Sequence, residues 1–158
     1  MISIKAIIDE DISNYKECSM YIAFPSCTFK CEKECGIKMC QNSHLATAPT
    51  IQISAEDIVM RYLKDSLTHS IVISGLEPFD TFDDLLKLID TFRKHTLDDI
   101  IIHTGYYENE LVDKLDDIKI YPNIIIKFGR FIPGHKPHFD DILGVKLASD
   151  NQYARRIS

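Results

Sequence analysis

Ser19-Met20-Tyr21-Ile22-Ala23-Phe24-Pro25-Ser26-Cys27-Thr28-Phe29-Lys30-Cys31 is the stretch on which the reading of this chain turns. Ser19 to Phe24 is a short apolar run of strand type, and Pro25-Ser26 halts it just before the first of several clustered cysteines. The cysteine loop therefore leaves the C-terminal end of a strand, the end at which sites form in sheets of parallel strands. The residues before this stretch carry no pattern that assigns them a structure.

Working outward, Ser54 with Asp57 three residues later is a helix start, followed by Ile58, Val59, Tyr62 and Leu63 at helical spacing. Ser70-Ile71-Val72-Ile73-Ser74 is a buried-type strand stopped at Gly75. Thr81 with Asp84 opens a helix carrying Leu85, Leu88, Ile89 and Phe92. Ile100-Ile101-Ile102-His103 is the next strand, broken at Gly105, and Glu108 to Leu115 is read as a helix. Ile124-Ile125-Ile126 begins a further strand. Strands alternating with helices imply right-handed crossovers and a mostly parallel sheet, so the class is α/β. A full eight-fold barrel takes about 250 residues. A chain of 158 is expected to form an incomplete, TIM-like partial barrel or an open, mostly parallel sheet with flanking helices. Either way, the strand ends at Ser26-Cys27, Ser74-Gly75 and Thr104-Gly105 are expected to meet at one mouth.

Composition narrows the partners. The length and the 45% apolar content suit a single domain spanning 1–158, with no repeat and no low-complexity segment. A net charge of -6 supplies no basic stripe for gripping phosphates, so nucleic acid is not an expected partner. No charged n-region precedes an apolar run near the N-terminus and no run approaches membrane-spanning length, so a cytoplasmic protein without membrane contact is expected. Paired acids such as Asp83-Asp84, Asp98-Asp99, Asp116-Asp117 and Asp140-Asp141 are read as helix-capping and solvating.

Four of the five cysteines, Cys27, Cys31, Cys35 and Cys40, fall in a loop over 25–42. Clustered thiols in a reducing compartment point to metal rather than disulfides. Closely spaced thiolates on a bendable loop suit an iron-sulfur cube, and four thiolates suit tetrahedral zinc as well. Zinc modules usually present two separated pairs, whereas here every candidate lies in one loop, which favours the cluster. Three thiolates on a four-iron cube leave one iron open to a substrate, while four close it into an electron carrier. Isolated Cys18 reads as a buried thiol. His103 reads as packed among its strand neighbours, and His135 and His138, flanked by Pro133, Gly134 and Pro137, read as loop residues. Glu77 before Pro78 is, on its own, a turn residue.

The order of several segments resembles a known family. A strand running into Cys27-x-x-x-Cys31, then Ser74-Gly75-Leu76-Glu77-Pro78 after the next strand, resembles the radical S-adenosylmethionine superfamily with its cysteine loop and GGEP motif. His103-Thr104-Gly105-Tyr106, Gly129-Arg130-Phe131 and Ser149-Asp150-Asn151-Gln152 resemble segments of the activating enzymes of anaerobic ribonucleotide reductases, in the same order over about residues 18 to 157. The family spacing CxxxCxxC is not kept, since Cys35 lies one residue too far from Cys31 and Cys40 requires an insertion. Gln41-Asn42 resembles the residues after the third family cysteine, so the resemblance selects Cys40. Ser74 replaces the first glycine of GGEP, and Phe128 replaces the acidic residue of the family's DGRF turn.

The resemblance implies a 4Fe-4S cluster on Cys27, Cys31 and Cys40, with S-adenosylmethionine bound at its open iron. It further implies that Ser74, Gly75 and Glu77 meet the methionine ammonium and that Met39 lies against the adenine. The implied reaction is reductive cleavage to a 5′-deoxyadenosyl radical, which makes a glycyl radical on a large partner, an anaerobic ribonucleoside-triphosphate reductase. An electron donor such as a flavodoxin is implied too. The alternatives are a radical enzyme for another peptide or small molecule, and a non-enzymatic iron-sulfur or zinc module.

Overall fold

The computed structural model describes residues 1–38, 40 and 42–158. Its centre is a six-stranded mixed sheet. Four strands run parallel: β3 (Ser19–Phe24), β5 (Ser70–Gly75), β6 (Asp99–His103) and β7 (Ile124–Phe128). An antiparallel strand flanks them on each side, β2 (Ala6–Asp11) beside β3 and β10 (Tyr153–Arg156) beside β7. Two ribbons stand apart from the sheet, β1 (Ile2–Ile4) with β4 (Ile51–Ile53), and β8 (His138–Asp140) with β9 (Val145–Leu147).

The helices form where the apolar spacing places them. In α3 (Ala55–Lys64), the Ser54 hydroxyl accepts from the Asp57 N–H at 3.0 Å, and Ile58, Val59 and Tyr62 are buried along one stripe. The helix α4 (Phe82–Arg93) buries Leu85, Leu88, Ile89 and Phe92. Its start differs from the sequence expectation. The Thr81 hydroxyl makes no capping bond, and Asp84 instead accepts the Ser3 N–H at 3.1 Å, tying the first strand to the helix. The helix read over Glu108 to Leu115 is two pieces, a 3-10 turn over Glu108–Glu110 and α5 (Val112–Lys119). The break follows from Glu110, whose carboxylate reaches back to the Tyr107 N–H at 2.8 Å and closes the first turn on itself.

Side-chain alternation gives each central strand two different faces. Ile71, Ile73, Ile100, Ile102, Ile124 and Ile126 join the buried stripes of the three helices in the main core. Val72, Ile101 and Ile125 point the other way, into a second apolar cluster closed by Tyr15, Leu143 and Leu147. Two residues further along this second face the character changes to Ser74, His103 and Lys127, which border a cavity. The bottom half of the face is therefore packed and the top half is left open.

The acidic pairs do more than solvate. Asp98 accepts the Tyr62 hydroxyl at 2.6 Å, and Asp99 accepts Tyr15 at 2.7 Å and both terminal nitrogens of Arg156. Asp140 is buried and receives the Leu143 and Ala154 N–H groups. These carboxylates link distant segments. Among the described residues, no helix is long and apolar enough to cross a membrane.

Candidate metal centre

The cysteine loop leaves β3 and folds into two short helices, α1 (Lys30–Cys35) and α2 (Ser43–Thr47). Phe29, in the left-handed region at φ 54°, opens α1, and Gly36 at φ 71° ends it. The loop is pinned at both ends. The Thr28 N–H donates to Asp80 at 2.9 Å, and the Asn42 side chain donates to the Gly75 carbonyl at 3.0 Å. Within it, the Cys40 N–H donates to Glu32 at 3.0 Å.

Cys27, Cys31 and Cys40 border one cavity of about 550 Å³. Cys35 is exposed at the C-terminal end of α1 and does not line it, and Cys18 lies at the opposite end of β3. The three expected strand ends do meet here, because Cys27, Ser74, Gly75, Thr104 and Gly105 all face the same space. Met39, expected to contact an adenine, lies outside the described residues, as does Gln41.

The thiols sit in half-buried surroundings. The Cys27 sulfur accepts the Phe29 N–H at 3.1 Å, yet burial pushes the thiol up to about 12. Burial also raises Cys31. Burial alone thus disfavours the thiolate form of both groups, and a bound cation would have to displace their protons. Cys27, Cys31 and Cys40 border one shared space, and clustered thiols on a short loop suit an iron-sulfur cube. The donor set and the space fit an iron-sulfur cluster.

Behind the cysteines lies a buried polar floor. Glu77, 4% exposed, accepts the Phe79 N–H at 3.1 Å, the Thr104 hydroxyl at 2.8 Å and the Gly105 N–H at 2.8 Å. A carboxylate offers about four acceptor positions, so one remains, on the oxygen that holds Gly105. Glu77 is thus a strut joining the ends of β5 and β6. Burial outweighs its three donors and raises its pKa to about 7. Gly75 cannot be replaced: its φ is 96°, and a Cβ there would lie 2.5 Å from the Phe24 nitrogen.

Sequence reasoning gave no role to Lys127 and named Arg130 only within the Gly129-Arg130-Phe131 resemblance. Lys127 is half-buried on the cavity wall, and desolvation lowers its pKa to about 8. His103 lies beside it in the paired strand, with a buried Nε2 that has no hydrogen-bond partner and a pKa lowered by burial to about 3. At neutral pH this floor therefore holds an ammonium beside a neutral imidazole. Lys127 follows three isoleucines and reads in sequence as a strand leaving for solvent; only the fate of the neighbouring strands shows that it does not. Arg130, with a 4% exposed side chain, pairs with Glu110 at 2.5 Å and Glu34 at 3.2 Å.

The C-terminal segment gains a role as well. The Asn151 amide donates to the Arg130 carbonyl at 2.7 Å, and the Gln152 amide donates to the Gly129 carbonyl at 3.2 Å. Together they hold the turn after β7 against the cavity. His135 pairs with Asp150 in an exposed turn, and His138 bonds the Gln152 carbonyl at 2.6 Å, both away from the cysteines.

Comparison with known proteins agrees with this geometry. The family model described as 4Fe-4S single cluster domain matches residues 16–140, which take in the whole cysteine loop, β5, β6 and β7. No curated protein matches the chain.

Proposed function

This chain belongs to the 4Fe-4S single cluster domain family, and from that premise we propose that it is a radical S-adenosylmethionine enzyme activating a large glycyl-radical protein. The observation that carries the reading is the cavity itself, which three cysteines border together with the buried acid Glu77 and the ammonium of Lys127. When bound, a reduced cluster supplies one electron to S-adenosylmethionine, whose carbon–sulfur bond breaks to give methionine and a 5′-deoxyadenosyl radical.

The chain's own residues prepare that event. Cys27, Cys31 and Cys40 are the three cluster ligands, leaving one iron for the amino and carboxylate groups of the substrate. Lys127 faces the cavity as a desolvated cation suited to the methionine carboxylate. The remaining acceptor position of Glu77 and the carbonyl of Gly75 suit its ammonium, the latter once Asn42 lets go. His103, neutral and unpartnered, lends the wall polarity without charge. Phe131 and Leu45 add apolar lining.

The partner follows from enclosure. The sheet keeps two edges and the cavity has an open side, while a carbon radical must be kept from water. A protein inserting a glycine-bearing loop closes that side; a small metabolite does not. We assign this role to an anaerobic ribonucleoside-triphosphate reductase, with a flavodoxin-type electron donor.

Anaerobic reconstitution tests the reading. The expected result is a brown protein whose reduced cluster changes its electron paramagnetic resonance spectrum on adding S-adenosylmethionine, and an oxygen-sensitive glycyl doublet on the reductase after mixing. Colourless protein holding zinc after reconstitution overturns the cluster assignment. A cluster spectrum indifferent to S-adenosylmethionine overturns the radical chemistry in favour of an electron carrier. Cleavage without the doublet overturns the partner.

A further inference from the structure

The helix that carries Cys31 is clasped by charge. Lys30, immediately before Cys31, donates to Glu110 at 3.0 Å, and Glu34, three residues after it, pairs with Arg130 at 3.2 Å. Glu110 and Arg130 join each other at 2.5 Å, closing a four-member network between α1 and the rest of the fold. The two inner members are firmly held. Glu110 also accepts the Tyr107 N–H at 2.8 Å, and the Arg130 guanidinium lies over the Tyr107 ring, 4.9 Å from its centre. The Asn151 amide fixes the Arg130 carbonyl. By contrast Glu34 is 58% exposed on its short helix, and α1 buries none of its residues in the core. A six-residue helix without core contacts has little stability of its own, so ties such as this network hold it in place.

The same residues reach the sulfur. Arg130 and Cys31 border one narrow crevice, together with Gly105. A Cβ built on Gly105 would lie 3.6 Å from the Cys31 sulfur and 3.9 Å from the Arg130 Cγ, so sulfur and arginine stem flank a single backbone position. The residue after Arg130, Phe131, lines the cavity that Cys31 also borders. Arg130 thus ties the Cys31 helix to the fold through Glu34 and brings a permanent cation near the sulfur through its side chain. The potential of an iron-sulfur cluster responds to net charge and to hydrogen bonds on its sulfurs.

We infer that Arg130 is a positioning residue that fixes the Cys31 helix and biases the cluster toward its reduced state, with Glu110 setting how much of that positive charge is felt. This rests on the cluster assignment proposed above and adds to it a residue-level control of potential. Removing the cation leaves Glu110 and Glu34 opposed only by Lys30, which disfavours the added electron. Neutralising Glu110 does the reverse.

The experiment is a redox titration of the reconstituted protein followed by electron paramagnetic resonance, with chelator-driven iron loss measured in parallel. R130Q is expected to shift the midpoint to more negative potential, E110Q to more positive potential, and R130K to stay near the parent while losing iron faster, because the ammonium keeps the charge but not the planar fork. Circular dichroism of each apo-protein identifies a variant that fails to fold, and R130K against E110Q then carries the comparison. Midpoints unmoved in both R130Q and E110Q, or displaced in the same direction, overturn the inference and leave a merely structural clasp. Parent protein that shows no iron-sulfur signal at all overturns the underlying cluster assignment instead.

Discussion

Cys35 and Cys40 are separated by five positions and by opposite surroundings. Cys40 faces the cavity with Cys27 and Cys31, whereas Cys35 is exposed at the end of α1 beside Gly36. Single replacement of Cys27, Cys31 or Cys40 by Ala is therefore expected to abolish cluster retention, measured as iron and sulfide per chain after reconstitution. Cys35→Ala is expected to retain most of it, and the reverse outcome would reassign the third ligand. Spacing alone left both cysteines open. The resemblance to the family residues after the third cysteine selected Cys40, and the direction in which α1 turns brings it to the cavity. Away from the site, Asp99 makes a pH-dependent contribution. The paired Arg156 guanidinium, aided by Tyr15, holds its carboxyl below the usual value against partial burial. Its folded pKa is depressed, so its stabilisation is present above the unfolded value of about 3.9 and is lost as pH falls through the folded one. Asp99→Asn is expected to lower stability by about 1 kcal/mol near neutrality. The gap to the parent should close in acid, as read from urea midpoints at the two pH values.

The elements that were readable in sequence are those with one dominant signal. β3, β5, β6 and β7 are short apolar runs bounded by turn residues, and α3 and α4 carry buried stripes at helical spacing. The remaining strands had no such signal. In β2, Ala6–Asp11, the burial pattern alternates weakly because the strand lies at a sheet edge with a bulge after Ile8, and half its residues are acidic. In β8, β9 and β10 the strands are too short for periodicity to speak. The strand-end turns carry a sharper constraint than their residue types suggest. Gly75→Ala places a Cβ against the backbone of Ala23 and Phe24, with no flexible side chain to give way. It is expected to cost at least about 2 kcal/mol. The check is a denaturant melt of the apo-protein, and a loss below about 0.5 kcal/mol would show that β3 and β5 separate more easily than their register implies.

At the scale of the molecule, the second face of the sheet is divided into a packed layer and an open one, and this division makes the site. Ile101 and His103 share that face, two residues apart on one strand. Ile101 is buried among Val72, Ile125 and Leu143, so Ile101→Ala removes packing that nothing can refill and is expected to cost about 2–4 kcal/mol. His103→Ala, which removes an unpartnered imidazole from a cavity wall, is expected to change apo-protein stability by less than about 1 kcal/mol. Equal losses in thermal or urea melts would contradict the layered picture. Local sequence determined the strand runs, the main helix starts, the glycine stops and the loop that carries the clustered thiols, because those depend on neighbours in the chain. Tertiary structure alone decided that Glu77 is a strut for Thr104 and Gly105, that Lys127 faces the cavity beside His103, and that Arg130 grips the Cys31 helix. Each of these depends on which distant strand or loop lies alongside. Burial and charge pairing are properties of that arrangement, and no residue carries them in its own identity.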